Sequence, residues 1–328
     1  MADVSISPPN PDRLRGENGF RDANRGQLLL VAGLVMAVSL VALVVLLNAT
    51  IYSENVATRG IESADGEALE VRATAVEGTG SLIDATNRKA AADGDGYGAT
   101  ETAVEEGVTE LDTHLARTYA GRGGVTHLTV DSLRRGSYLT GNLSSSQVGD
   151  DIDRTRGFVL DVDPESLAST NASAAPDEAF HVFFNGSGGG TSEVYVYADE
   201  SAGGNVTVAV GENGTEPTVV GSIDPDNLDE PDRVAVDLTG ERLGGQSTPG
   251  IWPAELLTQS DSYATDFENG DAAVGNATAT VTAPSGGGVA SELDATPAVY
   301  DATIDLRYRT AELQFETVVR VAPGEPDV

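Results

Sequence analysis

The sequence predicts an α+β protein: a long N-terminal transmembrane and stalk helix with a helical hairpin, followed by an antiparallel β-sandwich-like domain. Three observations predict it. Residues Leu28 to Leu47 form twenty consecutive positions without a charge. Beyond them, apolar and small side chains recur at spacings of three and four, the period of one helix face. From about Val125 the period becomes two, that of a strand buried on one side. The chain divides accordingly into a flexible cytoplasmic leader (1–26), a transmembrane helix (27–47), an extracellular helical stalk and hairpin (48–124) and an extracellular β-rich domain (125–328).

The leader carries Pro8, Pro9, Pro11, Gly16 and Gly19 among mixed charges and contains nothing that would fold alone. In the apolar run, only Ser39 has a polar side chain, small enough to bond back to its own helix. About twenty apolar residues are what a helix needs to cross a hydrocarbon core of roughly 30 Å. Arg13, Arg15, Arg21 and Arg25 precede the run, and Arg59 is the first basic residue after it. Basic residues stay on the cytoplasmic side, so a single span in the cell membrane leaves the N-terminus inside and about 280 residues outside. Asn142, Asn171, Asn185, Asn205, Asn213 and Asn276 each begin an Asn-x-Ser/Thr triplet on that outer side.

After the run, Ile61, Ala64, Ala68, Val71, Ala75 and Leu82 share a helix face. From Gln27 to Lys89 one continuous helix would measure about 95 Å, with Gly60, Gly66, Gly78 and Gly80 as places to bend or break. Asp93-Gly94-Asp95-Gly96-Tyr97-Gly98 is turn chemistry. A second helix then carries the stripe Val104, Val108, Leu111, Leu115 and Tyr119, with Thr100 or Thr102 to cap its start and Gly121 to close its end. It folds back antiparallel over a seam of small residues, and its stripe serves either as core or as a face for another subunit.

Strand patterns follow. Phe158, Leu160 and Val162 alternate with Val159 and Asp161, and Val194 and Val196 with Tyr195 and Tyr197. Val206, Val208 and Val210, then Val234, Val236 and Leu238, then Ile304, Leu306 and Tyr308, then Leu313 to Val321 repeat the theme. Turn-rich links such as Gly186 to Ser192 and Ser285 to Gly288 separate them, as in an antiparallel sandwich.

Composition limits the chemistry. There are 52 acidic and 19 basic residues, and Lys89 is the single lysine. Such surfaces resemble those of extreme halophiles, where carboxylates hold water and screening over about 3 Å at 1 M salt removes self-repulsion. The alternative is an anionic face for cations or basic partners. No basic patch exists for nucleic acid, and no cysteine for disulfides or thiolate metal sites. His114, His127 and His181 lack the spacing that puts two metal ligands on one helix face, and no nucleophile elbow or phosphate loop occurs. No catalytic residue, cofactor or metal ligand is therefore assigned, and the protein is read as non-enzymatic. The acidic stretch Asp224, Asp226, Asp229, Glu230 and Asp232 is either a solvated Pro-flanked loop or a set of oxygen ligands for calcium. Trp252 is either a loop anchor or an exposed contact.

The junction Arg25-Gly26-Gln27, the apolar helix, and Asn48-Ala49-Thr50-Ile51-Tyr52-Ser53-Glu54-Asn55-Val56-Ala57-Thr58-Arg59 together resemble the start of an uncharacterised family of haloarchaeal pilin-like membrane proteins. The ending Tyr308 to Thr317 with Val321-Ala322-Pro323-Gly324 is similar to that family too. The resemblance implies processing at Arg25, Gly26 and Gln27: a prepilin peptidase would cut after Gly26 and leave Gln27 as the new N-terminus. It implies membrane lipid, that peptidase and other pilin-like subunits as partners. Many type IV pilins have Glu at the fifth mature position, where this chain has Val31. The function expected is a non-enzymatic pilin-like cell-surface protein, anchored or assembled through its N-terminal helix. The alternative is a permanently anchored binding module, an adhesin or receptor for a glycan, ion or protein.

Overall fold

The computed structural model describes residues 36, 39, 40, 43, 44, 66–283 and 289–326. Two compact units divide the chain, Met1–Gly66 and Glu67–Val328. The second is α+β and dominated by antiparallel sheets. It opens with helix α1 (66–93) and helix α2 (Tyr97–Ala120). The strands follow in order: β1 (Val125–Asn142), β2 (Gln147–Ile152), β3 (Arg154–Val162), β4 (Ser169–Thr170), β5 (Phe180–Gly186), β6 (Thr191–Asp199), β7 (Asn205–Glu212), β8 (Thr218–Ile223), β9 (Val234–Asp237), β10 (Arg242–Leu243), β11 (Gln246–Ser247), β12 (Tyr263–Glu268), β13 (Gly275–Thr282), β14 (Asp294–Arg309) and β15 (Gln314–Val321). Short helices α3 (Ala175–Glu178) and α4 (Ala254–Thr258) lie in connections.

One sheet has eight strands in the order β11-β10-β9-β3-β13-β1-β14-β15; the other has seven, β2-β12-β5-β6-β7-β8 with β4 beside β6. Every pairing is antiparallel except β4 with β6. Inward residues of the expected alternations, among them Phe158, Leu160, Val194, Val206 and Val236, form one core between the sheets together with Phe180, Phe184 and Phe267. A second core forms on the opposite face of the eight-stranded sheet. There Val71, Ala75, Ile83, Val104, Val108, Leu115 and Tyr119 of the two helices pack on Leu128, Ile304, Leu306, Tyr308 and Val321. The helices and strands from Glu67 onward thus share one body, and the α2 stripe is core.

β1 and β14 serve both cores. Their pairing shifts register between Val130 and Ser132 and again between Arg134 and Arg135. Such bulges bend a strand and increase its twist. At Ala298 to Ala302, β14 is buried on both faces, between helices and second sheet.

The helical pair departs from expectation at its ends. Gly94 at φ +73° closes α1, with the Asp95 N–H donating to the Ala90 carbonyl, a Schellman-type stop. Helix α2 begins at Tyr97, so neither Thr100 nor Thr102 caps it; Gly96 stands at the cap, and both threonines donate back to the carbonyls of Gly96 and Gly98. Gly121 is the C-cap as expected. Gly78 and Gly80 leave α1 unbroken, because they are sites of close approach: a Cβ would stand 3.0 Å from Leu111 at Gly78 and 3.3 Å from Pro323 at Gly80. The expected helix continuity between Gln27 and residue 65, and the turn Ser285 to Gly288, fall outside the described residues.

At Gly107 a Cβ would meet Leu82 at 2.5 Å, whereas at Gly98 nothing lies within 4 Å. Gly107→Val should therefore lower unfolding free energy by about 1–3 kcal/mol through overpacking. Gly98→Ala should raise it by about 0.4–1 kcal/mol by restricting the unfolded chain. Denaturant titration of both variants checks the pair. Equal effects would contradict a close-packed seam.

Candidate functional site

Of the apolar run, five residues are described, and all are helical: Met36, Ser39, Leu40, Leu43 and Val44. Met36, Leu40, Leu43 and Val44 stand at i, i+4, i+7 and i+8, which puts them on one helix face. They are 69, 58, 63 and 61 % exposed. Large apolar side chains exposed in series are the pattern of a surface that meets lipid or another protein. Among the described residues no helix is long and apolar enough to cross a membrane. The processing residues Arg25, Gly26 and Gln27 lie outside the described residues.

In the β-rich body the histidines and the acidic stretch have the following surroundings. His114 is exposed on α2, and His127 Nδ1 lies 3.7 Å from Asp112 on the surface. His181 is buried on β5, with Nδ1 donating to the Ala179 carbonyl at 3.2 Å and Nε2 at 3.1 Å from Glu268. Both ring nitrogens are thus occupied within the fold. In the acidic stretch, Asp224 uses its carboxylate locally, accepting from the Asp226 N–H and from Asn227 Nδ2, each at 3.1 Å. The loop borders an open cleft of about 530 Å³ with Pro164, Glu165 and Gly203. Among the described residues no group of three or more His, Asp or Glu side chains is placed to hold a metal ion. Trp252 is 7 % exposed and packs edge-on against Phe184 with ring centroids 5.6 Å apart, which makes it the loop anchor.

Arg156, Glu193 and Asp301 are buried charged groups that the sequence pattern does not announce. Arg156 is 1 % exposed. Its Nε donates to the Tyr300 carbonyl at 2.6 Å, Nη1 to Asp84 at 2.6 Å and to the Pro323 carbonyl at 3.1 Å, and Nη2 to the Val299 carbonyl at 3.1 Å. One guanidinium thereby ties α1, β3, β14 and the C-terminal segment together. Asn87 of α1 adds two bonds to Val299, at 2.8 and 3.0 Å. The signal that could have found Arg156 is Gly157 at φ +58°, a bulge where β3 shifts register against β13. Plain alternation would have aimed Arg156 with Phe158 and Leu160 into the inter-sheet core. The bulge turns it toward the helices.

Glu193 on β6 is 8 % exposed, and its Oε2 has no hydrogen-bond partner. Burial raises its carboxyl above the ordinary range; His181 and the Thr191 hydroxyl oppose the rise, and Glu268 and Glu212 add to it. A carboxyl raised in the folded state gives stability that is present below its unfolded pKa and lost as pH climbs through the folded one. Glu193→Gln should therefore stabilise the body at pH 7, with the gain vanishing below the unperturbed Glu value of about 4.3. Denaturation across that pH range tests it; a gain that does not change with pH would refute a buried-charge cost.

Residues 22–147 match a family of unknown function, DUF7261. No curated protein and no solved structure matches the chain. The matched stretch takes in the Arg25-Gly26-Gln27 junction, the whole apolar run, both helices and β1. What the chain shares with DUF7261 is therefore its N-terminal part together with the helical layer of the body.

Proposed function

We propose that this is a non-enzymatic, pilin-like cell-surface membrane protein. Its N-terminal helix anchors it in the membrane or assembles it with other pilin-like subunits. The observation that carries the reading is the uncovered helix face of Met36, Leu40, Leu43 and Val44 within a twenty-residue uncharged run. Four arginines before the run support a cytoplasmic N-terminus and an external body. The body's Asn-x-Ser/Thr sites are compatible with that side: Asn142, Asn171, Asn185, Asn213 and Asn276 are exposed, and Asn205 is half-buried. The two sheets over one core are read as a β-sandwich-like head, which a helical pair covers on its far side.

Alkaline extraction of membranes from a halophilic archaeal host tests the anchor. The full chain should stay in the membrane pellet, and a chain lacking 27–47 should be secreted or soluble while keeping its folded body. A full chain released by alkali would refute anchoring.

A further inference from the structure

Each sheet edge in the body except one is short or irregular. β11 has two residues, β2 meets β12 through two register shifts, and six-residue β8 is bulged against β7. Those are the devices by which sheets avoid pairing with strangers. β15 has none of them. It pairs with β14 in unbroken register from Ala302–Val321 to Arg309–Gln314, contains no proline, and is the last strand of its sheet. On the face turned away from the helices it shows Gln314, Glu316, Val318 and Arg320, all exposed, with Val318 at 62 %.

The order of those side chains is complementary to itself. When the strand is laid antiparallel against a copy about a two-fold axis at Val318, Val318 meets Val318 and Glu316 meets Arg320 of the second copy, once on each side of the axis. On the helix-facing side Phe315 opposes Val321, and Thr317 opposes Val319. Opposite-charge and apolar cross-strand pairs each stabilise a sheet, and directly opposed like charges destabilise it. A parallel pairing would set Glu316 on Glu316 and Arg320 on Arg320. Both charged groups are already oriented: Glu316 Oε1 takes Arg307 Nε at 3.1 Å, and Arg320 is held by Asp301 at 2.7 Å and by Glu325. Guanidinium and carboxylate both retain capacity for one further bond.

We propose that β15 is a self-pairing edge. It joins the eight-stranded sheets of two copies of this chain into one continuous antiparallel sheet across an isologous two-fold, with Val318 on the axis. The main-chain groups of the edge supply the attraction, and the Glu316–Arg320 pairs set direction and register. This pairing needs nothing from the N-terminal helix.

The chain has no cysteine, so an introduced one is unique. Residues facing each other across an antiparallel pair have Cα atoms about 4.5–5.5 Å apart, inside the span of a disulfide. In the full chain in its membranes, Val318→Cys should form a covalent dimer on mild oxidation. Glu316→Cys alone and Arg320→Cys alone should not, because in each the two sulfurs stand four residues out of register, about 13 Å apart along the strand. Chains carrying Glu316→Cys and Arg320→Cys, expressed together, should cross-link to each other. The proposal is overturned if Val318→Cys dimerises no better than Val125→Cys, a comparably exposed site, or if Glu316→Cys links to itself as readily as to Arg320→Cys.

Discussion

Replacing Arg156 by methionine is expected to cost the folded body about 3–5 kcal/mol, the range for breaking a buried charge pair from one side. Methionine fills much of the space but donates nothing. The buried Tyr300 carbonyl and the half-buried Pro323 carbonyl would then lose this donor, while the Val299 carbonyl would keep only Asn87. Each dry acceptor costs about 1–3 kcal/mol, whereas Asp84, with a side chain 37 % exposed, can turn to solvent. For a body of this size the melting temperature should fall by roughly 10 °C, at about 2–4 °C per kcal/mol. Arg156→Lys should recover only part of the loss, because an ammonium cannot serve four acceptors spread over three elements. Adding Asp84→Asn to Arg156→Met should cost less than the two changes summed. A loss below about 1 kcal/mol for Arg156→Met would mean the guanidinium is replaceable by water or repacking.

Placing charges in the apolar run should abolish membrane association. Its eight leucines and six valines, at about −0.3 to −0.6 kcal/mol each, favour insertion by on the order of 6 kcal/mol, and an arginine near the centre costs about 2.5–3.5. Leu40→Arg with Leu43→Arg therefore cancels the whole preference, while either alone should weaken it without ending it. Leu69→Arg, at an exposed leucine of α1, is the control that should leave fractionation unchanged. Membrane retention of the double variant would show that something other than this helix holds the protein.

The parts of the fold legible in the sequence were those governed by one period and one face. Val104 to Tyr119 reads as a helix stripe, Phe158 to Val162 and Val206 to Val210 read as strands, and the switch near Val125 coincides with the first residue of β1. What periodicity cannot carry is which of two cores an alternating strand serves. Ile304, Leu306 and Tyr308 look no different from Val194 and Val196, yet the first set faces helices and the second faces the other sheet. Sheet membership separates those two, and within β1, β3 and β14 register shifts change which residues face which core, yet a bulge shows in sequence as little more than a single residue such as Gly157. Arg156 was illegible for the same reason. The helical pair reads as a stalk from its small-residue seam alone, and its second face, toward β1 and β14, becomes apparent only once those strands supply a matching apolar surface. The anchor alternative for Trp252 was within reach of the sequence because its role is local to its own loop.

The most direct test of the pilin-like reading is the intact mass and N-terminal peptide map of the protein, extracted from membranes of a halophilic archaeal host with and without its prepilin peptidase. The account predicts a mature chain that begins at Gln27 only when the peptidase is present. Retention of residues 1–26 in both strains would contradict it and leave a signal-anchored surface protein with no pilin-like processing.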